Sequence, residues 1–258
     1  MPGTDAPTRS SVSARAAASA VHVFTATGAV LALLMVNFSY RHEVETVLWL
    51  FLVAMIIDGT DGMLARRFRV KAVLPGFDGA LLDNIVDYMT YALAPMALLW
   101  ANGYLPDGAA GGVVASIPLL ASTYQFCRAD AKTDDHFFLG FPSYWNIVAF
   151  YAIVWELTTT ATTVLLLALA VLVFVPIKYL YPSRTEKLWY SNMTLSTLWL
   201  GLWAAITATL PEAPWLLVGL SLVYVVYYIA VSLWLTFSPA SAHPQSRSAE
   251  SAARATPT

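Results

Sequence analysis

The sequence predicts an all-α, polytopic membrane protein with about eight transmembrane helices and both termini in the cytoplasm. Of its 258 residues, 58% are apolar and only 12% are charged, whereas a typical soluble domain has about 25% charged residues. Because a helix needs about 20 mainly apolar residues to cross the hydrocarbon core, the chain can supply these spans and still leave loops and tails. A net charge of -2 without a long basic run argues against nucleic acid as a partner.

The apolar runs are separated by short segments rich in Gly, Pro and charged residues. They predict helices near residues 16–38, 45–66, 80–103, 111–128, 143–159, 161–180, 190–210 and 214–237. Residues 1–15 and 238–258 are rich in Ser, Ala, Pro and Thr and are expected to be disordered cytoplasmic tails. Residues 16–237 therefore form one predicted transmembrane domain.

Basic residues fall on one side of the predicted membrane. With an even number of spans, both tails and every second loop share a side, and that side carries all of the 14 Lys and Arg residues except Arg41. Cytoplasmic loops are the ones enriched in Lys and Arg. One missed or invented helix would reverse every later loop and remove this bias, so the sequence predicts that both termini are cytoplasmic.

Two pairs of Asp residues interrupt the apolar pattern near the cytoplasmic ends of the second and third predicted helices. Asp58 and Asp61 are three residues apart, and Asp83 and Asp87 are four apart, so each pair lies on one helical face. An Asp at the centre of a membrane helix costs about 2.5 to 3.5 kcal/mol, and less near the interface. Lys and Arg side chains inside the spans are too few to offset this cost, which points to another positive partner.

A divalent cation fits the four carboxylates better than a basic side chain. Hard cations such as Mg²⁺ or Mn²⁺ prefer oxygen ligands and often complete their coordination shell with substrate phosphates. Gly62, Ala65 and Gly79 have no bulky side chain beside the acids, so the two helices can approach closely and leave space for a phosphate-bearing ligand. The sequence therefore predicts a phosphoryl-transfer site with two divalent cations.

The acids and their small neighbours resemble a known signature. The chain is similar to the CDP-alcohol phosphatidyltransferases, integral membrane enzymes that join a CDP-activated group to an alcohol and release CMP. The resemblance rests on residues that occur in a fixed order, namely Asp58, Asp61, Gly62, Ala65, Arg66, Gly79, Asp83 and Asp87. The 12 residues between Arg66 and Gly79 form a longer spacer than most of the family has, and this spacer resembles that of the bacterial phosphatidylcholine synthases.

The resemblance implies roles for the residues of this signature. Asp58, Asp61 and Asp83 are expected to hold the metal ions, with Asp87 beside them as a ligand or as the catalytic base. The residues expected to bind CDP-diacylglycerol are Gly62, Ala65, Arg66 and Gly79. Arg66 has an alternative role among the positive-inside charges of the adjacent loop. For the acids, the alternative is a polar cluster that only joins two helices.

Aromatic residues at the level of the acids suggest the acceptor alcohol. Serine, inositol phosphate and glycerol phosphate carry anionic groups and would require several Lys or Arg side chains near the acids. Choline carries a quaternary ammonium, which proteins recognise with aromatic faces. Trp and Tyr are also enriched at membrane interfaces for amphipathicity alone. The candidate choline-binding residues are Tyr91, Tyr124, Tyr144 and Trp145.

The resemblance therefore implies a multi-pass transferase of phospholipid biosynthesis in the bacterial inner membrane, with its active site toward the cytoplasm. Such an enzyme transfers the phosphatidyl group of CDP-diacylglycerol to choline by metal-assisted direct displacement, forming phosphatidylcholine and CMP. A phosphatidylserine synthase, or a relative with another acceptor, is the nearest alternative. A cation channel or transporter is the alternative of another class, although these acids cluster at one entrance and not along the membrane normal. Membrane lipid surrounds the protein, and a homodimer is compatible with the sequence.

Other polar residues are expected to have structural or surface roles. Asp78 is interpreted as a solvated surface charge, and Lys132 and Arg184 either contact anionic head groups or belong to the positive-inside charges. The single Cys127 excludes an internal disulfide and is expected to be a small buried side chain. No metal-ligand spacing links the His residues, which are His22, His42, His136 and His243.

Overall fold

The structure is a computed structural model that describes residues 11–131, 133, 137–182, 185 and 188–237, and this part of the chain is mostly helical. The helices are α1 (Val12–Tyr40), α2 (Val44–Arg67), α3 (Val70–Val73), α4 (Gly79–Asp87), α5 (Ala94–Ala101), α6 (Gly108–Cys127), α7 (Trp145–Val154), α8 (Thr159–Leu172), α9 (Trp189–Thr207) and α10 (Trp215–Phe237). A π-helical segment, Tyr88–Leu93, joins α4 to α5. The strands are β1 (Phe137–Leu139) and β2 (Lys178–Leu180).

Four helices in the described ranges, α1, α2, α6 and α10, are long and apolar enough to cross a membrane. Large apolar side chains on these helices are exposed, among them Leu33, Leu120 and Val223. An exposed apolar surface is unfavourable in water and favourable in hydrocarbon, so it fits contact with lipid. The prediction of a helical membrane protein is confirmed at this level, and each predicted apolar run overlaps a described helix.

The third predicted helix, residues 80–103, is not one continuous α-helix. It consists of α4, the π-helical segment Tyr88–Leu93 and α5. Pro95 lacks the backbone N–H that an α-helix would direct to the carbonyl oxygen of Tyr91, so the regular hydrogen-bond pattern is interrupted here. The backbone therefore widens directly after Asp87 and changes the direction of the side chains that follow.

The sequence did not predict the small antiparallel sheet that β1 and β2 form. Phe138 pairs with Tyr179 at the centre of this sheet. The predicted helix 161–180 is wrong in its C-terminal part, because α8 ends at Leu172 and β2 follows. Pro176 lies between these two elements, and a proline inside a helix removes a backbone hydrogen bond.

Hydroxyl groups of α10 hold β2 in place. The backbone N–H groups of Lys178 and Leu180 donate to the side-chain oxygens of Thr236 and Ser232, at 2.9 and 3.1 Å. The hydroxyl of Tyr228 donates to the carbonyl oxygen of Leu180 at 3.1 Å. Residues 228, 232 and 236 recur at the helical spacing of four and lie on one face of α10. This helix therefore takes the place of a third strand along the sheet edge.

The apolar core lies between α2, α7 and α9. The rings of Phe150 on α7 and Trp203 on α9 are stacked, with centroids 3.8 Å apart. The indole N–H of Trp203 donates to the carbonyl oxygen of Leu48 on α2 at 3.1 Å. α1 packs against α2, α4 and α5. α1 therefore holds together the two helices that carry the acidic pairs.

Some expectations about the chain ends and Cys127 differ from the structure. α1 begins at Val12, before the predicted start of the first span at residue 16. Cys127 is exposed at the end of α6, so the expectation of a buried thiol is wrong. The predicted tails fall, for residues 1–10 and 238–258, outside the described residues.

Candidate active site

Three of the four predicted acids meet between α2 and α4. One carboxylate oxygen each from Asp58, Asp83 and Asp87 lies within 4.8 Å of the others, and the three side chains are half-buried. Asp61 joins them in lining one small cleft between α1, α2 and α4. The structure thus brings the whole predicted acidic set to one place, where α1 packs against both helices that carry it.

Asp61 lies deeper than the other acids and is oriented by α1. Its side chain belongs to a residue only 7% exposed, and its Oδ2 accepts a hydrogen bond from the hydroxyl of Thr25 at 2.8 Å. Thr25 is itself buried. Burial of a carboxylate is costly unless the group is hydrogen-bonded. Thr25, which lies outside the signature, therefore fixes the position of Asp61.

The geometry of the acids fits a divalent cation. Two oxygen ligands of one Mg²⁺, each at about 2.1 Å, lie at most about 4.2 Å apart. The oxygens of Asp58, Asp83 and Asp87 lie within 4.8 Å of one another, so they reach this limit by moving less than about 1 Å. A cluster of three carboxylates with this separation could hold a metal ion.

Asp78 caps the helix that carries Asp83 and Asp87. Its Oδ1 accepts hydrogen bonds from the backbone N–H groups of Ala80 and Leu81, both at 3.0 Å. An N-cap of this kind satisfies amides that have no partner within the helix and is typically worth about 1 kcal/mol. The interpretation of Asp78 as a surface charge missed this role. The cap fixes where α4 begins and hence where its acids lie.

The residues expected to bind CDP-diacylglycerol lie along one side of a large cavity. Gly62, Ala65, Arg66 and Gly79 all line it, together with the four acids. The guanidinium of Arg66 folds back over its own helix, with Nη1 3.4 Å from the position that a Cβ of Gly62 would take. The guanidinium of Arg66 therefore lies beside Gly62 in the cavity lining.

His22 of α1 lies against Gly79. A Cβ at Gly79 would lie 2.7 Å from the imidazole Cε1, so only glycine fits without a shift. The ring also packs against Phe77 with centroids 4.2 Å apart, and its Nε2 is buried without a hydrogen-bond partner in the described part of the chain. His22 was not predicted to have a role, but it lies within α1, three residues before Thr25, on the side of the acids. That spacing is the signal that could have identified it.

The large cavity measures about 1530 Å³, which exceeds the roughly 300 to 1000 Å³ of common small-molecule sites. Its first side, here called the acidic wall, consists of Asp58, Asp61, Asp83 and Asp87. Its second side, here called the aromatic wall, consists of Phe138, Phe141, Tyr144, Tyr179, Tyr181, Tyr224 and Tyr228. The basic residues among the described cavity residues are Arg66, Arg69 and Lys71, which lie at the end of α2 and in the segment after it.

Two of the candidate choline-binding residues lie at the junction of these walls. The hydroxyl of Tyr91 donates to Oδ2 of Asp58 at 2.8 Å. The rings of Tyr91 and Tyr144 have centroids 6.1 Å apart and are tilted by 57°. Both residues line the large cavity. Tyr91 therefore contacts a candidate metal ligand with its hydroxyl and the aromatic wall with its ring.

Tyr124 lies outside the described cavity lining. It is 45% exposed, and its ring packs against Phe174 with centroids 4.9 Å apart. The guanidinium of Arg128 lies over the same ring, 5.3 Å from its centroid. Hydrogen bonds from Arg128 lower the pKa of Asp130, and the same pairing raises the pKa of Arg128. The face of Tyr124 thus already contacts a cation of the protein itself.

Trp145 lies in the apolar core. It is fully buried, and its indole N–H donates to the hydroxyl of Ser122 on α6 at 2.7 Å. Its ring contacts Phe141 edge-to-face, with centroids 5.0 Å apart. Trp145 does not belong to the described cavity lining. Lys132 and Arg184, the other basic candidates, lie outside the described residues.

Several aromatic residues of the cavity were not predicted from the sequence. Tyr228 comes from α10, Tyr179 from β2 and Phe138 from β1. The sheet and the hydroxyls of α10 bring these residues together, and neither contact leaves a periodic signal in the sequence. A weak signal exists on α10, where Tyr224 and Tyr228 are one turn apart within an apolar run.

Curated proteins of known activity are similar to the chain over most of its length, whereas no family model matches it. A phosphatidylcholine synthase of Legionella pneumophila is 43% identical over 226 residues, which cover 85% of this chain and 88% of that protein. A phosphatidylcholine synthase of Legionella bozemanae is 39% identical over 207 residues, 78% of this chain and 95% of that protein. The phosphatidylcholine synthase of Pseudomonas aeruginosa is 34% identical over 224 residues, 85% and 92% of the two chains.

Proposed function

The chain belongs to the family of bacterial phosphatidylcholine synthases, and we propose that it transfers the phosphatidyl group of CDP-diacylglycerol to choline, releasing CMP. The observation that carries this proposal is the meeting of Asp58, Asp83 and Asp87 in a cavity that also contains the residues expected to bind CDP-diacylglycerol. Both halves of a metal-assisted transfer, the ligands and the substrate cavity, therefore occur together.

The acids are proposed to hold divalent cations at the reacting phosphates. Asp58, Asp61 and Asp83 are the proposed ligands, with Asp87 completing the set. Mg²⁺ or Mn²⁺, two per site, would supply Lewis-acid stabilisation of the charge that develops on the departing CMP. Thr25 supports this assignment, because it orients the deepest ligand, Asp61, by a direct hydrogen bond.

Asp87 is the proposed general base. The hydroxyl of choline must lose its proton as its oxygen forms a bond to the phosphorus attached to diacylglycerol, while the bond from that phosphorus to CMP breaks. A carboxylate of Asp87 can accept this proton directly, without a covalent enzyme intermediate. Its position beside Asp58 and Asp83 supports this role, because the base must lie close to the atoms that react.

The CDP group is proposed to lie on the side of the cavity that Gly62, Ala65, Arg66 and Gly79 line. The guanidinium of Arg66 lies beside Gly62 and can bind a phosphate, while Gly79 leaves the space that the ring of His22 takes. The basic residues of the described cavity lining support this direction, since Arg69 and Lys71 lie at the same end.

Aromatic residues of the cavity favour choline over serine as the acceptor. Tyr91 and Tyr144 line the cavity with the acids, and the rings of Phe138 and Tyr228 are neighbours of Tyr144. A serine carboxylate would need a cationic partner there, whereas a quaternary ammonium is attracted by aromatic faces. Phosphatidylserine synthesis therefore stays the alternative to exclude by experiment.

The proposed enzyme has eight membrane-crossing helical segments, lies in the bacterial inner membrane with both termini cytoplasmic, and opens its active site to the cytoplasm. The distribution of Lys and Arg supports this orientation. A homodimer stays a prediction from the sequence.

Release of CMP tests the proposal directly. The purified protein in detergent and lipid would be incubated with CDP-diacylglycerol and, separately, choline, serine, inositol phosphate or glycerol phosphate. We expect choline to give the fastest release, excess chelator to stop it, and Mg²⁺ or Mn²⁺ to restore it. Faster release with serine would assign the alternative acceptor. Cation flux through protein-containing vesicles without any CMP release would instead indicate a channel or transporter.

A further inference from the structure

Four rings surround one part of the large cavity beside the acids. Tyr144 lies in the middle, and the ring centroids of Tyr91, Phe138 and Tyr228 are 6.1, 6.3 and 6.4 Å from its own. The corresponding interplanar angles are 57, 82 and 56°. These residues come from four different elements or their ends, and all of them line the cavity. The ring of Tyr144 is therefore tilted or nearly perpendicular to each of the other three rings, and the four residues together are called the aromatic box.

The spacing of the rings matches a bulky cation. A cation is attracted by an aromatic face when it lies within about 6 Å of the ring centroid. A nitrogen about 4.5 Å from each of two perpendicular faces requires ring centroids roughly 6.4 Å apart. The pair Phe138–Tyr144 meets this condition, at 6.3 Å and 82°, and the rings of Tyr144 and Tyr228 have a similar separation of 6.4 Å with a tilt of 56°. A methylated ammonium can therefore contact both faces of such a corner.

The positions of the charged residues in the cavity also favour a cation at the box. Among the described cavity residues, Arg66, Arg69 and Lys71 lie at the end of α2 and after it, on segments other than those that supply the box. The hydroxyl of Tyr91 instead binds the carboxylate of Asp58, so the box adjoins negative charge. A cation is favoured beside the acids and an anion beside the basic residues.

Choline also requires its ammonium site to lie beside the acids. Only an ethylene unit separates its hydroxyl from its nitrogen, so the ammonium must bind close to the reacting atoms. Tyr91 spans this gap, because its hydroxyl contacts Asp58 and its ring adjoins Tyr144. A hydroxyl placed near Asp87 therefore leaves the ammonium at the box.

We propose that Phe138, Tyr144 and Tyr228, together with Tyr91, form the site that binds the quaternary ammonium of the acceptor and thereby select choline. This inference rests on the proposed function, and it assigns acceptor selection to β1, the start of α7 and α10. Phe138 and Tyr228 lie outside the signature and were not identified from the sequence.

The test separates the charge of the acceptor from its shape. CMP release would be measured with choline and with 3,3-dimethylbutan-1-ol, which replaces the ammonium nitrogen by carbon. In Tyr228→Leu and Phe138→Leu, we expect the choline KM to rise about 3- to 30-fold, the range for loss of one cation–π contact. The preference of the protein for choline over the neutral alcohol should fall by a similar factor, and the KM for CDP-diacylglycerol should stay unchanged.

Two further variants serve as controls for packing. Tyr228→Phe keeps the ring and loses the hydroxyl, which contacts the carbonyl oxygen of Leu180 and the side chain of Tyr144, so its choline KM should rise less than that of Tyr228→Leu. Tyr227→Leu repeats the change to Leu one residue away, where the hydroxyl contacts Asn192 and the ring is not part of the described cavity lining. The choline KM of Tyr227→Leu should be unchanged.

The outcomes distinguish this inference from the proposed function. If the unaltered protein releases no CMP with choline, the proposed function fails and the inference fails with it. If choline is used but Tyr228→Leu and Phe138→Leu leave the choline KM and the preference over the neutral alcohol unchanged, the inference alone is wrong. A rise in choline KM that Tyr227→Leu reproduces equally would also overturn it, because the effect would then be structural.

Discussion

The acidic wall and the aromatic wall face the same cavity but are built by different means. The acidic wall comes from α2 and α4, which are near one another in the chain, and each helix supplies two acids on one face. The aromatic wall comes from β1, β2, α10 and the segment before α7, which are far apart in the chain. The chemistry is thus specified locally, whereas the surface proposed to select the acceptor depends on the tertiary structure.

The two walls also differ in how their polar groups are held. Asp61 is fixed by Thr25 from α1, and the hydroxyl of Tyr91 holds Asp58. On the aromatic side, Tyr228 is anchored through its hydroxyl to Leu180 while its ring lines the cavity. Substitutions on the acidic wall should therefore alter kcat, and those on the aromatic wall should alter the KM of the acceptor.

The largest effect is expected from Asp83→Asn. Asp83 is proposed to act only as a metal ligand, so its replacement should remove metal binding and abolish CMP release, because a neutral amide is a poor ligand for Mg²⁺ or Mn²⁺. The same result is expected for Asp58→Asn and Asp61→Asn. Asp107→Asn, an acid outside the cavity lining, is the control and should stay fully active. Full turnover of Asp83→Asn in excess chelator would remove the metal hypothesis.

Asp87→Asn should have the next largest effect. Without the proposed base, kcat should fall by roughly 10²-fold or more, within the range typical of general-base catalysis. CDP-diacylglycerol should still bind. This can be measured by letting the variant compete with the unaltered protein for labelled CDP-diacylglycerol. A near-normal kcat, or a phosphatidylated protein that accumulates in the absence of choline, would argue against direct displacement with Asp87 as base.

Thr25→Ala should have an intermediate effect. The variant removes the hydrogen bond that orients Asp61, and loss of such a supporting contact lowers metal affinity or activity by roughly 10-fold. The concentration of Mn²⁺ that gives half-maximal CMP release should rise accordingly. Thr25→Ser keeps the hydroxyl and should restore the affinity, whereas Thr27→Ala, on the exposed side of α1, should change nothing. Equal metal dependence in all three variants would show that Thr25 does not support the site.

The smallest effect is expected from Tyr124→Leu. Its ring is outside the described cavity lining and already contacts Arg128, so the choline KM should stay within about twofold, as for surface substitutions in general. A rise in the choline KM comparable to that of Tyr228→Leu would show that the aromatic wall extends beyond the cavity to Tyr124.

The sequence predicted much of the acidic wall and little of the aromatic wall, for a physical reason. Helical periodicity places Asp58 with Asp61 and Asp83 with Asp87 before any tertiary contact is known. The hydrogen bond between Thr25 and Asp61 depends on the packing of α1. Helical periodicity does not reveal this packing. Asp78 followed by a helix was a recognisable N-cap signal that the interpretation as a surface charge overlooked.

The aromatic residues show why composition alone is a weak guide. Tyr124 and Trp145 were selected because they lie at the level of the acids, but helix rotation turns Trp145 into the core and leaves Tyr124 on the surface. Tyr228 lies far along the chain and reaches the cavity only through the pairing of β1 with β2 and the contact of β2 with α10. Pro95 and Pro176 were local signals for the interrupted third helix and the early end of α8.

The row of hydroxyls on α10 has a consequence for biosynthesis. Chains fold from the N-terminal side as they are made, so α1, α2 and α4 can pack and bring their carboxylates together early. β2 obtains its hydrogen bonds from Ser232 and Thr236 only when α10 has entered the membrane. A nascent chain is therefore expected to acquire its metal ligands well before it can hold an acceptor, and arrival of this last described helix is the step at which the enzyme matures.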